Sequence, residues 1–599
     1  MKKRYFSKTK IIFIFLAILA FSLRAIYFRQ TVKFISPGAG SDSYFYLEWA
    51  KSIVRGELIG KDVFYALPLY PYFLSIAYLF AGGELFGLVL IQLFIGSLNC
   101  GLIYILGKRL FNAQVGVIAA LIACGYPMLI FYDRMILPTT LTICLGLLLM
   151  LLLLKIKDSP SFRRWCTAGL FLGLSVLAKA SFALLAIFIL FWIFYEYKKP
   201  FKKSLLYCLS FILPFFLVVG AGILRNYLVA GDPVLITAHS GINFYIGNNS
   251  QANGLFKPPP LMRSTQNGLI EDARIIAERL SLRKLTASEV SNFWFRRSLN
   301  FIRTQPLDYL ILLGKKLVLF WNGREFIDEI SYYIYNEEAK LFKLPLFQFS
   351  LICPLAVLGI FLSGLKDNKI TFLYFFIFSL MLGPVLFFVN SRYRIIAVPY
   401  LIIFAAFSLW QLIQKYRNRQ YKNLIFLLIV FFSLYFLTNI QITDASLPNS
   451  TFHYNKGVIF HDQGKYQKAN EEFQLALNLN PLDFMSYLGL GNVYYQIEDL
   501  SQAIENYKIS LKINPYFYNA HFNLGIIYRE IGQNKQAQEE FLNVLKLKPE
   551  DCAAHYNLGQ IYQARGLPEM ALKEYQQALK IEPNHPEVLQ AIKEIKQDN

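Results

Sequence analysis

Two aspartates stand out because a well-placed carboxylate can accept a proton from an attacking hydroxyl group. Asp42 lies in the segment GAGSDSYFYLEWAKSI, where apolar residues recur at helical spacing after it, and Asp133 stands beside Arg134 in YDRMILPTTL. Each has a simpler interpretation. An acid at a helix start caps the helix and complements its dipole, for about 0.5–2 kcal/mol, and an exposed Asp–Arg pair contributes little. Glu48 is a weaker alternative, because it would face a different direction from Asp42 on a helix.

Four cations form a second group of residues that could do chemistry, namely Arg134, Lys179, Arg392 and Arg394. A guanidinium can bind two oxygens of a phosphate at once, and an ammonium supplies a compact positive charge. Such groups could therefore stabilise a negatively charged leaving group. They would equally suit a membrane surface, where long basic side chains reach the lipid headgroups.

The elements that must position these residues are mostly apolar. The chain has 599 residues, a formal net charge of +21 and 55% hydrophobic residues. The positive excess belongs to the first 450 residues, because residues 451–599 hold 14 basic and 18 acidic side chains. Apolar runs in that first part are long enough to cross about 30 Å of hydrocarbon as helices. The composition excludes a soluble nucleic-acid-binding protein and predicts a polytopic membrane protein with a soluble C-terminal part.

Hydropathy predicts an all-α bundle with about eleven membrane crossings. The predicted spans are 11–29, 85–107, 113–131, 136–154, 166–178, 182–196, 204–224, 346–364, 371–389, 395–412 and 423–440. Lys and Arg are concentrated in alternate short loops, which predicts a plasma or inner membrane protein with a cytoplasmic N-terminus. The cations Arg134, Lys179, Arg392 and Arg394 fall on the opposite, outer side. A purely topological role would place cations on the inner side, so these outer cations become candidates for function.

Two long segments, 30–84 and 225–345, are predicted to lie outside the membrane, and long loops carry functional sites more often than short ones. The stretch 306–321 is interrupted by Lys315 and Lys316, so we expect an interfacial helix with these lysines and Trp321 at headgroup level. If this stretch crosses the membrane instead, everything after it is inverted.

The C-terminal part repeats with a period of 34 residues, which is the tetratricopeptide period. Prolines, glycines, alanines and aromatic residues recur at this step, and they are Pro481, Pro515, Pro549 and Pro583; Gly457, Gly491, Gly525 and Gly559; Ala469, Ala503, Ala537 and Ala571; and Phe473, Tyr507, Phe541 and Tyr575. We therefore predict a membrane domain over 1–440, a linker over 441–449, four repeats over 450–583 and a capping helix over 584–599. The resulting α-solenoid offers a surface for a protein partner, or serves as a spacer without a ligand.

The order of motifs in the first part resembles the GT-C glycosyltransferases. The resemblance covers about residues 10–440 and rests on the acidic motif at Asp42, ALPLYPYFLSIAYLFAG (66–82), YDRMILPTTL (132–141), LGLSVLAKASFALL (172–185) and SRYRIIAVPYL (391–401). Within this superfamily the chain is most similar to the protein O-mannosyltransferases and the aminoarabinose transferase of lipid A. A loop like GINFYIGNNSQANG (241–254) also occurs in bacterial members that end in tetratricopeptide repeats.

The resemblance implies transfer of a sugar from a polyprenyl-phosphate carrier to an extracytoplasmic protein, lipid or glycan acceptor, with inversion at the anomeric carbon. Asp42 matches the first-loop acid of the family and would be the base, or a carboxylate that orients the acceptor, with Asp133 as a second catalytic carboxylate. Arg392, Arg394, Lys179 and Arg134 would bind the lipid phosphate. Phosphate binding is favoured for Arg392 and Arg394, while Lys179 stays open between phosphate binding and a topological role. Asn243, Tyr245 and Asn248 could contact the acceptor, although a turn without a ligand is the favoured interpretation of this segment.

These residues identify no cofactor with certainty. Many relatives carry a second acid directly after the first, where this chain has Ser43, so a divalent cation such as Mg²⁺ or Mn²⁺ stays an open question. Two other functions compete. A non-catalytic scaffold for assembly or export of envelope polysaccharide would act through the repeats. A transporter is less favoured, because transporters place charges deep within their spans and these charges cluster at one interface.

Overall fold

The computed structural model describes residues 2–32, 35, 37, 41–232, 234, 237–263, 265–326, 332, 335, 339–344, 347–364, 368–442 and 450–598. The chain divides into two compact units, Met1–Ser446 and Leu447–Asn599. The predicted all-α class is confirmed, since a single bridge between Leu255 and Val389 is the one β contact among the described residues. Most of the predicted linker 441–449 lies outside the described residues.

The first unit consists of helices of very different lengths. In chain order they are α1 (Lys2–Thr31), α2 (Asp42–Val54), α3 (Leu69–Phe80), α4 (Leu85–Leu110), α5 (Ala113–Cys124), α6 (Pro127–Arg134), α7 (Thr139–Asp158), α8 (Phe162–Ala178), α9 (Ala183–Glu196), α10 (Phe201–Ala230), α11 (Ser240–Gly247), α12 (Gln266–Ser281), α13 (Ala287–Thr304), α14 (Pro306–Phe320), α15 (Phe349–Ser363), α16 (Asn368–Leu386), α17 (Ser391–Arg394), α18 (Val398–Arg417) and α19 (Tyr421–Thr438). Short 3₁₀ turns cover Ala180–Phe182 and Lys340–Lys343.

Seven of these helices are long and apolar enough to cross a membrane, namely α1 from Lys8, α4, α7, α10, α16 from Lys369, α18 and α19. Helices α5 and α6 make an eighth span if they are counted together across the 59° bend between them. The predicted count of eleven is not confirmed. The stretches predicted as spans at 166–178, 182–196 and 346–364 form helices of 17 residues or fewer by the bounds of α8, α9 and α15, and about 20 residues are needed for a full crossing.

The core of the first unit forms where spans cross at small residues. Helix α4 packs against α1, α5 and α7, and α15 packs against α18. A Cβ atom at Gly116 would lie 2.5 Å from the carbonyl oxygen of Tyr104, so α4 and α5 approach as closely as two backbones can. Without a hydrophobic driving force between helices in lipid, such close contacts are what holds spans together.

Helix α14 differs from its expected placement. Lys316 is buried, and its ammonium donates a hydrogen bond to the side chain of Asn248 over 2.8 Å, so its charge is satisfied within the protein rather than by lipid headgroups. Sequence position could not reveal this partner, because Asn248 lies 68 residues earlier.

The second unit is a stack of helix pairs, as the 34-residue period predicts. Its helices are α20 (Ser450–Asp462), α21 (Tyr466–Leu479), α22 (Phe484–Gln496), α23 (Leu500–Ile513), α24 (Tyr518–Glu530), α25 (Asn534–Leu547), α26 (Cys552–Ala564), α27 (Pro568–Ile581) and α28 (Pro586–Asp598). Within each pair the repeated glycine receives the repeated aromatic ring, and a Cβ atom at Gly491 would lie 2.3 Å from the ring of Tyr507. The apolar side of α28 covers the last pair through Val588, Ala591 and Ile595.

Candidate active site

Asp42 is the first residue of α2, and its carboxylate forms an ion pair with Arg392. The helix cap is supplied by the neighbouring Ser41, whose side chain accepts a hydrogen bond from the backbone N–H of Tyr44 over 3.2 Å. The carboxylate of Asp42 is therefore not needed as the cap. Both partners of the pair are about one-fifth exposed, so the charges lie at the edge of the protein interior and are accessible.

Arg392 is held by the short helix α17, which begins because the side chain of Asn390 accepts a hydrogen bond from the backbone N–H of Tyr393 over 2.8 Å. The ammonium of Lys179, at the C-terminal end of α8, lies 3.2 Å from the centre of the Tyr393 ring. The Arg392 guanidinium lies 5.6 Å from the same ring. One carboxylate and two cations from three distant segments are therefore brought together, because Asp42 pairs with Arg392 and both cations lie over the Tyr393 ring.

Two neighbours of Asp42 were missed by the sequence analysis. Tyr46, one turn further along α2, is buried, and its burial and the charge of Asp42 both raise the pKa of the phenol. His239 precedes α11, and burial lowers the pKa of its imidazole to about 4, against the opposing influence of Asp42. Its Nε2 atom has no hydrogen-bond partner in the described part of the chain. A neutral imidazole thus borders the site.

A cavity of about 200 Å³ opens beside His239, with Tyr65, Arg274 and Trp294 in its lining. Apart from Tyr65, the residues that line it belong to the segment 225–345.

Asp133 and Arg134 lie inside the helix bundle, at the end of α6. The Asp133 carboxylate accepts hydrogen bonds from Arg24 and from the Thr140 hydroxyl, each over 2.7 Å. It also packs on Gly96 of α4, where any Cβ atom would lie 2.2 Å from the carboxylate. Both oxygens of this buried carboxylate are hydrogen-bonded, one to α1 through Arg24 and one to α7 through Thr140. Asp133 therefore connects α6 to these two helices. A catalytic role for Asp133 would require these contacts to break, and it stays a prediction.

Arg134 donates hydrogen bonds to the hydroxyl and the carbonyl of Thr31, both over 2.9 Å, and its guanidinium lies 4.2 Å from the centre of the Tyr335 ring. The predicted phosphate-binding role would require these contacts to break. In this structure, Arg134 fixes the end of α1 instead.

Arg394 is also enclosed, although it lies only two residues from Arg392. Its guanidinium donates to the carbonyl oxygens of Asn322 and Arg324, each over 2.6 Å, and to the carboxylate of Glu325 over 2.8 Å. The Arg394 guanidinium also lies 3.8 Å from the centre of the Phe349 ring, which covers one of its faces. Its donors stabilise the turn after α14, so phosphate binding by Arg394 would require these contacts to break and stays a prediction.

Glu325 is a further residue that the sequence analysis missed. Its carboxylate accepts hydrogen bonds from the hydroxyl groups of Tyr126 and Ser391, in addition to Arg394. These contacts connect the turn after α14 with α6 and α17, and thus hold the helix that carries Arg392.

The segment GINFYIGNN forms α11 and its end, rather than the turn that we favoured. Asn248 is fully buried and uses its whole side chain, because its amide donates to the carbonyls of Phe244 and Leu386 and its oxygen accepts from Lys316. The ring of Tyr245 packs 4.9 Å from that of Trp294, and Asn243 is half-buried on α11. Asn248 is therefore a structural residue, and an acceptor-binding role for it is not supported by its contacts.

A divalent cation does not fit the donors around Asp42. Among the described residues, the one group of three close metal-ligating side chains is Cys552, Glu582 and His585, in the second unit. Asp42 is accompanied by a cation rather than by a second carboxylate. Hard divalent cations take several oxygen ligands, so the site as built favours an anion-binding function for its cations.

Comparisons with known families agree with this division of the chain. Residues 66–221 match the family described as dolichyl-phosphate-mannose-protein mannosyltransferase. Residues 457–498, 491–531 and 525–566 match one family model of the tetratricopeptide repeat, and residues 552–585 match another. The resemblance predicted from the motifs is confirmed over these ranges. They support a glycosyltransferase-like membrane function for the first unit and a protein-interaction function for the second.

Several solved structures are similar to part of the chain. MamA is 24% identical, over 22% of this chain and 79% of that chain, with a TM-score of 0.22. YrrB, a TPR protein with an unusual peptide-binding site, is 22% identical, over 30% of this chain and 88% of that chain, with a TM-score of 0.23. A thermophilic TPR protein from Thermus thermophilus is 23% identical, over 25% of this chain and 82% of that chain, with a TM-score of 0.22. No curated protein sequence matches the chain.

Proposed function

We propose that the protein is an integral-membrane glycosyltransferase that moves a sugar from a polyprenyl-phosphate carrier to an extracytoplasmic acceptor, with inversion at the anomeric carbon. The observation that carries this proposal is the Asp42–Arg392 pair with Lys179 beside it, within a unit that matches the mannosyltransferase family over residues 66–221. A base and two cations are the groups that such a transfer requires.

In the proposed reaction, the oxygen of an acceptor hydroxyl attacks the anomeric carbon while the bond from that carbon to the phosphate oxygen breaks. The electron pair of the broken bond stays on the phosphate, and the hydroxyl proton passes to the carboxylate of Asp42. Attack from the face opposite the leaving group inverts the anomeric centre. Before substrate binds, Arg392 stabilises the negative charge of this carboxylate.

The cations act on the leaving group. Negative charge on the phosphate grows as the glycosidic bond breaks, and positive charges preorganised beside it lower the barrier. Arg392 would turn from Asp42 to the phosphate when the donor binds, which leaves the carboxylate available to the acceptor. Lys179, held over Tyr393, supplies the second positive charge.

Asp133, Arg134 and Arg394 take positioning roles in this proposal. Their partners in the protein are already in place, so they fix α1, α6 and α17 rather than contact the substrate. The proposal includes no metal ion and no further cofactor.

The distribution of Lys and Arg supports a plasma or inner membrane location with the N-terminus in the cytoplasm. With an odd number of crossings, the repeats would then lie on the extracytoplasmic side, where they can bind a protein acceptor or partner.

The decisive experiment is mass spectrometry of envelope glycoproteins and glycolipids from cells that lack the chain, or carry it as wild type, Asp42→Asn or Glu48→Gln at equal abundance. Glu48 is the matched control, because it lies on the same helix and pairs with Lys51 over 2.8 Å. We expect one sugar mass to disappear in the deletion and in Asp42→Asn, and to persist in Glu48→Gln.

The competing function is a non-catalytic scaffold that acts through the repeats, which the repeat matches favour. In that case Asp42→Asn would retain the glycan that the deletion loses. Restoration of the glycan by the repeats alone would likewise exclude catalysis by the membrane unit.

A further inference from the structure

Helix α13 borders an open cleft of about 740 Å³ that is separate from Asp42 and Arg392. The other walls are the turn after α12 and the residues just beyond α11. The charged residues in its lining are Arg283, Glu289, Arg296 and Arg297.

The charge of this cleft is positive. Glu289 is neutralised by Arg283, since their side chains form an ion pair over 2.8 Å. Arg296 and Arg297 add two further positive charges, and both are exposed. The guanidinium of Arg297 lies 4.8 Å from the centre of the Phe293 ring, which holds it along the cleft wall. Two adjacent guanidinium groups in a concave surface favour an anionic ligand.

An apolar surface begins where the cleft ends. Gln305 lines the cleft, and α14 starts at the next residue. The outer side of α14 carries Leu307, Leu310, Ile311 and Val318, which recur at helical spacing and are 52–69% exposed. An apolar stripe of this length beside a basic cleft is the pattern of a helix that lies against a lipid surface.

The contacts on the inner side of α14 indicate what the apolar residues on its outer side face. Helix α14 packs against α16, one of the seven helices able to cross a membrane. The buried Lys316 contributes to this contact through Asn248, whose amide reaches the carbonyl of Leu386 at the end of α16. Because the inner side adjoins a span, the outer side lies at the flank of the membrane bundle.

We propose that the α13 cleft and the outer side of α14 together bind an anionic phospholipid. Arg296 and Arg297 hold its phosphate, and its acyl chains cover the stripe that begins at Leu307. A soluble phosphate compound would use the cleft without the stripe, and a neutral lipid would use the stripe without the arginines. This lipid is distinct from the sugar donor, and its binding does not depend on the proposed transferase activity.

The proposal is tested with the full chain purified in a neutral detergent and titrated with phosphatidylglycerol or phosphatidylcholine of the same acyl chains, with bound lipid counted by native mass spectrometry. The test variant is Arg296→Gln/Arg297→Gln. The control Arg55→Gln/Lys257→Gln removes the same charge from exposed positions outside the cleft. We expect the test variant to bind phosphatidylglycerol about tenfold more weakly or worse, with the control unchanged.

A second variant, Leu310→Asn/Ile311→Asn, tests the contribution of the stripe. We expect it to weaken phosphatidylglycerol binding as well, and millimolar glycerol 3-phosphate to leave the lipid bound.

Displacement by glycerol 3-phosphate would show a site for soluble anions and overturn the proposal. Equal binding of the two lipids would also overturn it, as would an arginine variant that binds like its control. Equal melting temperatures of all variants ensure that folded proteins are compared, and the single change Arg296→Gln replaces the double change if that criterion fails.

Discussion

Arg392 and Arg394 show how two identical side chains in one short motif can have different functions. The Arg392 side chain is 19% exposed and pairs with Asp42, whereas that of Arg394 is 1% exposed and donates to backbone carbonyls and to Glu325. The side chains diverge because two residues correspond to more than half a turn of helix. The sequence analysis grouped the two arginines by their predicted side of the membrane. That grouping does not indicate in which direction each side chain points.

The two arginines are therefore expected to respond differently to loss of charge. Arg394→Gln removes the cation beside Glu325 and leaves buried carbonyls without donors, so we expect it to cost about 3–5 kcal/mol of stability. Arg392→Gln should leave the melting temperature nearly unchanged and reduce sugar transfer at least about a hundredfold, because in the proposed reaction it removes a charge that acts on the leaving group.

Thermal unfolding in detergent and transfer from a lipid-linked donor, measured on the same preparations, separate the two effects. A stable Arg394→Gln protein without transfer activity would place Arg394 at the phosphate after all. Arg392→Lys is the matched control, since it keeps the charge but loses the bidentate geometry, and we expect intermediate activity.

At this scale, the sequence predicted which charged residues share one side of the membrane, but not which charges have partners within the protein. Asp133, Arg134 and Asn248 are structural because Arg24, Thr31 and Lys316 satisfy them. Those partners come from distant segments, and nothing in local spacing reveals them. Glu325 and His239 were missed for the same reason, because neither belongs to a motif that predicts chemistry by itself.

Helix α11 illustrates what fixes an element in place. A Cβ atom at Gly247 would lie 1.8 Å from the carbonyl oxygen of Phe387, and one at Gly241 would lie 1.8 Å from that of Ser291. The helix is therefore held between α13 and the end of α16 by direct backbone contact. Because the segment after Phe387 leads to Arg392, the position of α11 also affects the candidate site.

Gly247→Ala should consequently destabilise the protein by about 1–3 kcal/mol, since a carbonyl group cannot move aside as a flexible side chain can. We also expect lower transfer activity, through displacement of α17. Gly220→Ala is the control, because a Cβ atom there has no atom within 4 Å, and it should be neutral or stabilising by up to about 1 kcal/mol. Thermal unfolding of both variants measures the difference, and equal melting temperatures would contradict the close contact between α11 and the end of α16.

The repeats contain a second element-scale feature, a histidine–glutamate pair within the helix pairs. His453–Glu472, His521–Glu540 and His555–Glu574 each join a first helix to a second over 2.5–2.7 Å. The remaining repeat has Tyr487 and Asn506 at these positions, so both members of the pair differ together in that repeat.

His555 makes the stability of the last repeat depend on pH. Its Nδ1 atom faces Glu574 and its Nε2 atom faces the carbonyl of Pro549, over 3.1 Å, so two acceptors favour the protonated ring. The hydrogen bond with Glu574 is the main cause of its raised pKa. A raised pKa in the folded state gives stabilisation that is complete below about pH 6.5, the ordinary histidine value, and that is lost as the pH rises through the folded value.

Residues 447–599 should therefore be more stable to urea at about pH 6 than at about pH 8. The variant His555→Tyr/Glu574→Asn, which introduces the pair of the second repeat, should reduce this difference. Circular dichroism during urea denaturation measures it at both pH values. A variant with an undiminished difference, or a wild type more stable at the higher pH, would exclude this contribution of His555.

The helices were predictable where the sequence repeats with a fixed period. The number of membrane spans was less predictable, because it was inferred from apolar content alone. The 34-residue period places all four helix pairs, because each glycine and aromatic ring recurs with its packing partner. The span count was not confirmed because α8, α9 and α15 are apolar yet short, and hydropathy does not distinguish a buried helix from a crossing one.

At the scale of the whole molecule, charge and hydropathy separate the same two parts that the structure describes as compact units. Asp42, Lys179 and Arg392 all belong to the first unit, and each repeat match belongs to the second. The proposed chemistry and the proposed partner recognition are therefore assigned to different parts of the chain, and they can be measured separately.

A chain that ends at residue 442 should accordingly retain turnover of the lipid-linked donor with a simple soluble acceptor, within about threefold of the full chain. Transfer to the native acceptor should fall at least about tenfold, because a tethered binding module raises the local concentration of its partner by a large factor. Asp42→Asn in the shortened chain is the control and should abolish both reactions. If the shortened chain transfers sugar to the native acceptor at the full rate, the repeats do not select it. If instead it has lost turnover with the soluble acceptor while its helices remain folded, the second unit contributes to the chemistry, and the assignment of the site to Asp42, Lys179 and Arg392 alone is wrong.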